Sequence, residues 1–130
     1  MYEAVTRGVR VAVTPAFLDD RSDPDENRWV WAYTIEIANL SNVTVQLRSR
    51  YWRIVDALGR TEEVRGPGVV GKEPVIPPGH VFAYTSGCPL GTSSGMMVGH
   101  YEMEAADGER FAVDIPAFSL DTPGERPVMN

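Results

Sequence analysis

The sequence predicts an all-β chain, an antiparallel β-sandwich of about seven or eight short strands, on three observations. Apolar residues alternate with polar ones at period two in segment after segment. Turn signatures built on Gly, Pro, Asn and Asp punctuate those segments at regular intervals. No stretch of ten residues sustains the 3.6-residue period of a helix. A barrel is the alternative arrangement of the same strands. The length of 130 residues fits one domain, residues 1–130, and no repeat or low-complexity segment divides it.

The elements follow in order. Thr6 to Leu18 alternates, with Val9, Val11 and Val13 on one face, and Pro15 marks an edge or a strand end. Asp19 to Asn27 has no apolar residue and contains an Asp-Pro step, so it is a loop. Arg28 to Leu40 is the clearest strand. Trp29, Trp31, Tyr33, Ile35 and Ile37 share one face, which suits a sandwich core better than a stacking platform for bases. A turn at Asn39–Asn42 leads into a long strand from Val43 to Leu58. Its inner face runs through Val43, Val45 and Leu47, then reappears on the opposite parity at Trp52 and Ile54. That switch predicts a bulge or a crossing between sheets. Asp56 to Arg60 is a tight turn around Gly59, and Arg60 to Arg65 a short hairpin return.

A glycine-rich stretch follows, then brief Val75-Ile76 and a turn at Pro77-Pro78-Gly79. His80 to Ser86 alternates, with Phe82 and Tyr84 on one side. Gly87 to Gly95 reads as a loop. Met96 to Ala105 is a strand with Met97, Tyr101 and Met103 together, and Gly99 inside it marks a bulge or a close approach. Asp107-Gly108 signals a hairpin whose return carries Phe111, Val113 and Ile115 and ends at Pro116. Residues 120–130 read as a flexible, loosely held tail.

Composition narrows the function. A formal net charge of −6 argues against broad binding to nucleic acid. No window approaches the roughly eighteen apolar residues that cross a bilayer, and the start lacks the apolar stretch of a secretory signal, so no membrane association is expected and a cytoplasmic location is the default. Cys88 is the single cysteine, which excludes an intrachain disulfide; no neighbouring His or helix N-terminus activates it as a nucleophile. Ser86, Ser93 and Ser94 lack the strand-turn-helix setting of a hydrolase serine. Asp19, Asp20, Asp23, Asp25 and Glu26 crowd one loop, and His80 and His100 could each find a carboxylate. The EF-hand spacing and its glycine are missing, so a solvated turn and hydrogen-bonded histidines are the preferred readings over a metal site. No catalytic residue, metal site or cofactor is expected, and the chain reads as a non-enzyme.

The motif that dominates the functional question is Gly66, Gly68 and Gly71, spelling G-x-G-x-x-G. A dinucleotide fingerprint needs a helix after the last glycine, and Pro74, Pro77 and Pro78 exclude one. Two readings remain. The glycines permit a turn and close backbone packing. Alternatively, their N–H groups form a nest for a phosphate or another anion, flanked by the charges of Arg65 and Lys72 and weakened by Pro67, which has no N–H.

The combination of Arg50–Ile54, Gly59-Arg60, Val64–Gly71, Pro74, Pro78-Gly79, Phe82, Tyr84–Gly87 and Gly99–Met103, together with Trp31–Thr34 and Asp114–Phe118, closely resembles the bacterial ApaG family over nearly the whole chain. The resemblance implies an immunoglobulin/fibronectin-type-III-like sandwich. It implies a link to cobalt and magnesium homeostasis and binding of pyrophosphate-like ligands without hydrolysis at Gly66, Gly68 and Gly71. Relatives built into F-box proteins and a DNA-polymerase-interacting protein imply a protein-interaction module. Pro67 and Glu73 stand where the family often has an acidic residue and a glutamine. The expected function is therefore a non-enzymatic binding domain for a protein partner. The alternative is a sensor for phosphate or pyrophosphate at the glycine loop, with Arg65 and Lys72 as its cations. A homodimer through an exposed sheet edge is a further expectation.

Overall fold

A computed structural model describes residues 1–124 of the chain, and among them lie nine strands and no α-helix. They are β1 (Tyr2–Thr6), β2 (Val9–Phe17), β3 (Trp29–Asn39), β4 (Val45–Asp56), β5 (Thr61–Pro67), β6 (Val75–Ile76), β7 (Val81–Leu90), β8 (Gly95–Ala105) and β9 (Arg110–Leu120). All pair antiparallel. One sheet has the order β1-β2-β3-β7. The other has the order β5-β4-β8-β9, with β6 joining the same edge of β4 beyond the end of β5.

The two sheets face each other across one core, and period-two alternation decides what enters it. Val9, Val11 and Val13 from β2 and Trp31, Tyr33, Ile35 and Ile37 from β3 are buried on one side. Val45, Leu47 and Trp52 from β4, Met97, Tyr101 and Met103 from β8, and Val113, Ile115 and Phe118 from β9 close it from the other. Tyr33, Trp52 and Phe118 form an aromatic knot across the sheets, with centroids 5.4–5.9 Å apart and the Trp52 edges meeting both partners. Asn39 is the one fully buried polar residue of the described chain, and it is completely bonded. Its Nδ2 donates to the carbonyls of Val43 and Ile76, both at 2.8 Å, and its Oδ1 accepts from the Ser41 amide and hydroxyl. It ties the β3–β4 turn to β6.

Several expectations are revised. Tyr2–Thr6 forms a strand of its own, joined to β2 through Arg7-Gly8, both at positive φ, the geometry of a two-residue hairpin turn. Pro15 lies inside β2, where β1 has already run out, so its missing N–H leaves no ladder bond unmade on that side. Gly87 to Leu90 continues β7 instead of opening a loop. Pro116 does not end β9, which runs on to Leu120. Because β9 is the outer strand of its sheet, a proline there faces no further partner. Leu120 is buried, Asp121 accepts a hydrogen bond from Trp31 Nε1 at 2.8 Å, and the Thr122 hydroxyl donates to the Ser93 carbonyl, so this part of the expected tail is packed. Residues 125–130 of that tail lie outside the described residues.

The bulge expected between Leu47 and Trp52 falls at Arg48, where the pairing with β8 shifts between Leu47 and Ser49. Before it, Val45 and Leu47 face the core. After it, Arg50 and Trp52 do, while Ser49 and Tyr51 turn outward. β4 stays in one sheet throughout. A second shift, between Met97 and Gly99, occupies the position flagged by Gly99.

Candidate functional site

The glycine loop bridges the gap where β5 leaves β4 and β6 returns to it. Each glycine has a separate task. Gly66 pairs with Arg50 across the ladder, and a Cβ there would stand 3.1 Å from Arg50 Nη1, so the absent side chain is the seat of that guanidinium. Gly68 has φ +60°, and a Cβ there would lie 2.2 Å from the Lys72 carbonyl oxygen, so no other residue fits without moving the backbone. Gly71 is the second corner of a turn closed by Val69 N–H to Lys72 O and Lys72 N–H to Val69 O, both 2.8 Å. Val70 and Gly71 have φ of +43° and +78°, which is a type I′ turn.

The amides do not converge as a three-glycine nest. The Gly68 N–H donates to the Arg48 carbonyl at 2.9 Å, and Gly66 lies in the β5 ladder. The Val70 and Gly71 N–H groups have no partner among the described residues. The loop's carbonyls face inward instead: Arg50 Nη1 donates to the oxygens of Pro67 at 3.0 Å and Gly68 at 2.9 Å. Arg65 and Lys72 do not form a pair of flanking cations. Arg65 stands on the outer face of β5, while Lys72 closes the turn and lines neither concavity described below.

Two concavities flank β4. The outer one, about 400 Å³, is shaped by Ser49, Tyr51, Arg65, Gly66, Pro67, His100 and Glu102, and Arg50 borders it as well as the inner one. Register sets it up, because Tyr51 lies directly opposite Arg65 on β5 and His100 on β8. The Arg65 guanidinium sits 4.3 Å above the Tyr51 ring, and the His100 ring lies 5.0 Å from it on the other side. The Tyr51 hydroxyl donates to Glu63 at 3.0 Å, and that carboxylate bond raises the phenol's pKa. His80, by contrast, stands exposed at the entry to β7 in the other sheet, so the two histidines do not meet.

The inner concavity, about 220 Å³, opens between the sheets under the glycine loop. Tyr33, Tyr84 and Ser86 line it from β3 and β7, Arg50 and Trp52 from β4, and Val69 to Gly71 from the loop. The Tyr84 and Tyr101 hydroxyls meet at 2.5 Å behind it. Burial raises the pKa of Tyr84, Tyr101 and Tyr33 above the ordinary phenol value, so all three are neutral at pH 7. Burial pushes the Cys88 thiol up to about 11, with the Glu62 charge adding to it, so Cys88 is a buried thiol rather than a nucleophile. Among the described residues no group of three or more His, Cys, Asp or Glu side chains is placed to hold a metal ion. No helix among them is long and apolar enough to cross a membrane.

The sequence alone does not single out Arg50 as a site residue, nor Tyr33, Tyr84 and Ser86 as a group. The parity switch held the signal, because any residue two before Trp52 must share its inward face.

The fold and site together define an antiparallel β-sandwich whose glycine loop is moulded around an inward arginine. The ApaG domain matches residues 19–105, and the chain belongs to the ApaG family. It is 62% identical to Protein ApaG of Brucella anthropi over 130 residues, covering all of both chains. It is 58% identical to Protein ApaG of Xanthobacter autotrophicus over the same full length. The crystal structure of the ApaA protein from Bordetella pertussis superposes with a TM-score of 0.87 at 42% identity, covering 95% of this chain and 98% of that one.

Proposed function

We propose that this ApaG-family chain is a binding domain that works without catalysing a reaction, and that it docks a protein partner on the outer face of β5, β4 and β8. The observation that carries this reading is the outward-facing Arg65–Tyr51–His100 row, in which Arg65 is exposed and Tyr51 and His100 are half-buried. Arginine and tyrosine are the residue types that concentrate binding energy at protein interfaces, and here a rigid sheet pre-orders them, so little side-chain entropy is lost on docking. The contribution to cobalt and magnesium homeostasis that the family resemblance implies would be made through such a partner. The setting we take is the cytoplasm, where the free thiol of Cys88 stays reduced.

Site-specific photo-crosslinking in the native host tests the reading. A crosslinker at Ser49, beside the row, is expected to give a discrete adduct that disappears when Tyr51→Ala is added. The same crosslinker at Glu36, exposed on the other sheet, is expected to give none. Equal labelling from both positions, or none from Ser49, rules the docking face out.

A second reading is favoured by the Val70 and Gly71 amides, two adjacent N–H groups without a partner among the described residues. On it, the loop senses phosphate or pyrophosphate without hydrolysing it, through the Val70 and Gly71 amides and with Lys72 of the same turn as its cation, while Gly66, Gly68 and Arg65 of the expected set do not converge on it.

A further inference from the structure

We infer that the concavity between the two sheets is a binding site for a small ligand with an oxyanion head, a phosphate or a carboxylate, and that its cation is Arg50. This rests on the second reading above and moves the ligand from the outside of the loop to the space beneath it.

Charge points there first. The whole chain carries a formal −6, yet no carboxylate lines this cavity, and its one charged residue is an arginine. Arg50 is half-buried and forms no ion pair among the described residues, whereas Arg21, Arg28 and Arg53, which form none either, are exposed, and Arg7, Arg10, Arg48, Arg60, Arg65 and Arg110 are all paired. A guanidinium withdrawn from water without a counterion is costly, and a bound anion removes that cost. Nη1 alone holds the loop carbonyls, which leaves the donors on Nε and Nη2 without a partner among the described residues. Those are three N–H groups, and the Nε–H with one Nη2–H makes the parallel pair that suits an oxyanion.

The remaining lining supplies neutral donors. Tyr33 and Ser86 are cross-strand partners on β3 and β7, so their hydroxyls enter together. In the Tyr84–Tyr101 pair only one hydroxyl donates to the other. With Tyr101 donating, the Tyr84 hydrogen is left for the cavity. The Gly71 N–H, on the loop side, has no partner among the described residues. The loop carries a further mark: Val70 is a β-branched residue held at φ +43°, where a turn of this type favours Asn or Gly, and its side chain borders the cavity. At about 220 Å³ the space is below the roughly 300–1,000 Å³ of drug-sized sites, which restricts the occupant to a small molecule.

Titration of ¹⁵N-labelled protein with inorganic phosphate, and separately with acetate, against chloride at matched ionic strength, tests the inference. Saturable shifts are expected at Arg50 Nε–H, the Gly71 amide and the Trp52 indole N–H. Whichever anion acts at lower concentration identifies the head group. Arg50→Lys keeps the charge and loses the fork, and is expected to weaken binding about tenfold. Tyr33→Phe removes one hydroxyl and leaves the loop sequence and Arg50 unaltered, and is expected to weaken it by roughly three- to tenfold. Shifts confined to Arg65, Lys72 and the exposed turn overturn the inference and leave the second reading standing. Absence of any shift at millimolar anion overturns both. Unchanged affinity in both variants overturns the assignment to this cavity.

Discussion

On the outer side of β4, Tyr51 stands half-buried between a cation and an imidazole; on the inner side, one residue away, Arg50 stands among hydroxyls under a loop. The outer concavity carries both signs of charge, Arg65 and Glu102, and the ion pair that Arg65 makes with the neighbouring Glu63 has side chains 71% and 55% exposed, so solvent screens it. The inner one has a single sign and is walled by the buried Tyr33, Trp52 and Tyr84, and a hydrogen bond made among them counts for more than one in water. A flat, screened, aromatic surface suits a macromolecule that brings its own area. A narrow unscreened cleft suits a small charged group. The two differ because of one extra residue: the bulge at Arg48 exchanges the faces of everything after it, so that Arg50 and Trp52 go in and Tyr51 goes out.

Adding a residue beyond the bulge is the most severe way to break the comparison. An alanine inserted between Arg50 and Tyr51 leaves the bulge in place and sends Tyr51 inward and Trp52 outward. Loss of the Trp52 packing alone costs about 3–5 kcal/mol, comparable to the whole stability of a small domain. Collapse of amide dispersion in an NMR spectrum is the expected result; a dispersed spectrum would mean that alternation along β4 beyond the bulge does not set the two faces.

The inner hydroxyls offer a milder cut. Tyr84→Phe leaves the buried Tyr101 hydroxyl without its partner and is expected to cost about 2 kcal/mol in a urea titration at pH 7. The same pair sets the alkaline limit. Because the folded-state pKa values of Tyr33, Tyr84 and Tyr101 are raised, the neutral phenols stabilise the fold fully below the unfolded tyrosine pKa near 10. That contribution is lost as pH climbs from there toward the folded values. Stability is therefore expected to be flat with respect to these groups below about pH 10 and to fall above it, less steeply in Tyr84→Phe.

The smallest effect has the opposite sign. Val70→Asn places Asn-Gly at the corners of the type I′ turn and relieves the strained β-branched residue. It is expected to raise stability by about 1 kcal/mol by thermal melt. If the inner cavity binds an anion through a loop shaped by Val70, the same change is expected to weaken that binding while the outer face is untouched.

Much of this fold was legible in the residues. Val9, Val11 and Val13, and Trp29 to Ile37, alternate so plainly that faces and core follow directly, and the parity change before Trp52 located the bulge. What escaped reading depended on neighbours. Tyr2–Thr6 is short, and its Arg7-Gly8 turn lacks the Asn or Asp that usually announces a hairpin. Pro89 and Pro116 look like strand breakers until β7 and β9 are known to be outer strands. The inner cavity gathers β3, β4, β7 and the loop, residues up to 53 positions apart from Tyr33 to Ser86, and no local pattern reports such a meeting. The glycines were visible, but their amides looked free because only the fold shows that Gly68 N–H belongs to Arg48 O.

The seat that Gly66 makes for Arg50 has a consequence for how such a sequence can change over time. A methyl group at position 66 and the guanidinium at position 50 compete for one volume, and Arg50 is pinned there by two carbonyls. Substitution at either site is thus conditional on the other. A lineage can abandon the first glycine of the motif only after shortening the arginine, and a lineage that keeps the arginine keeps the glycine with it. The first glycine and the inward arginine form one heritable unit, sixteen residues apart in the chain and adjacent in the sheet.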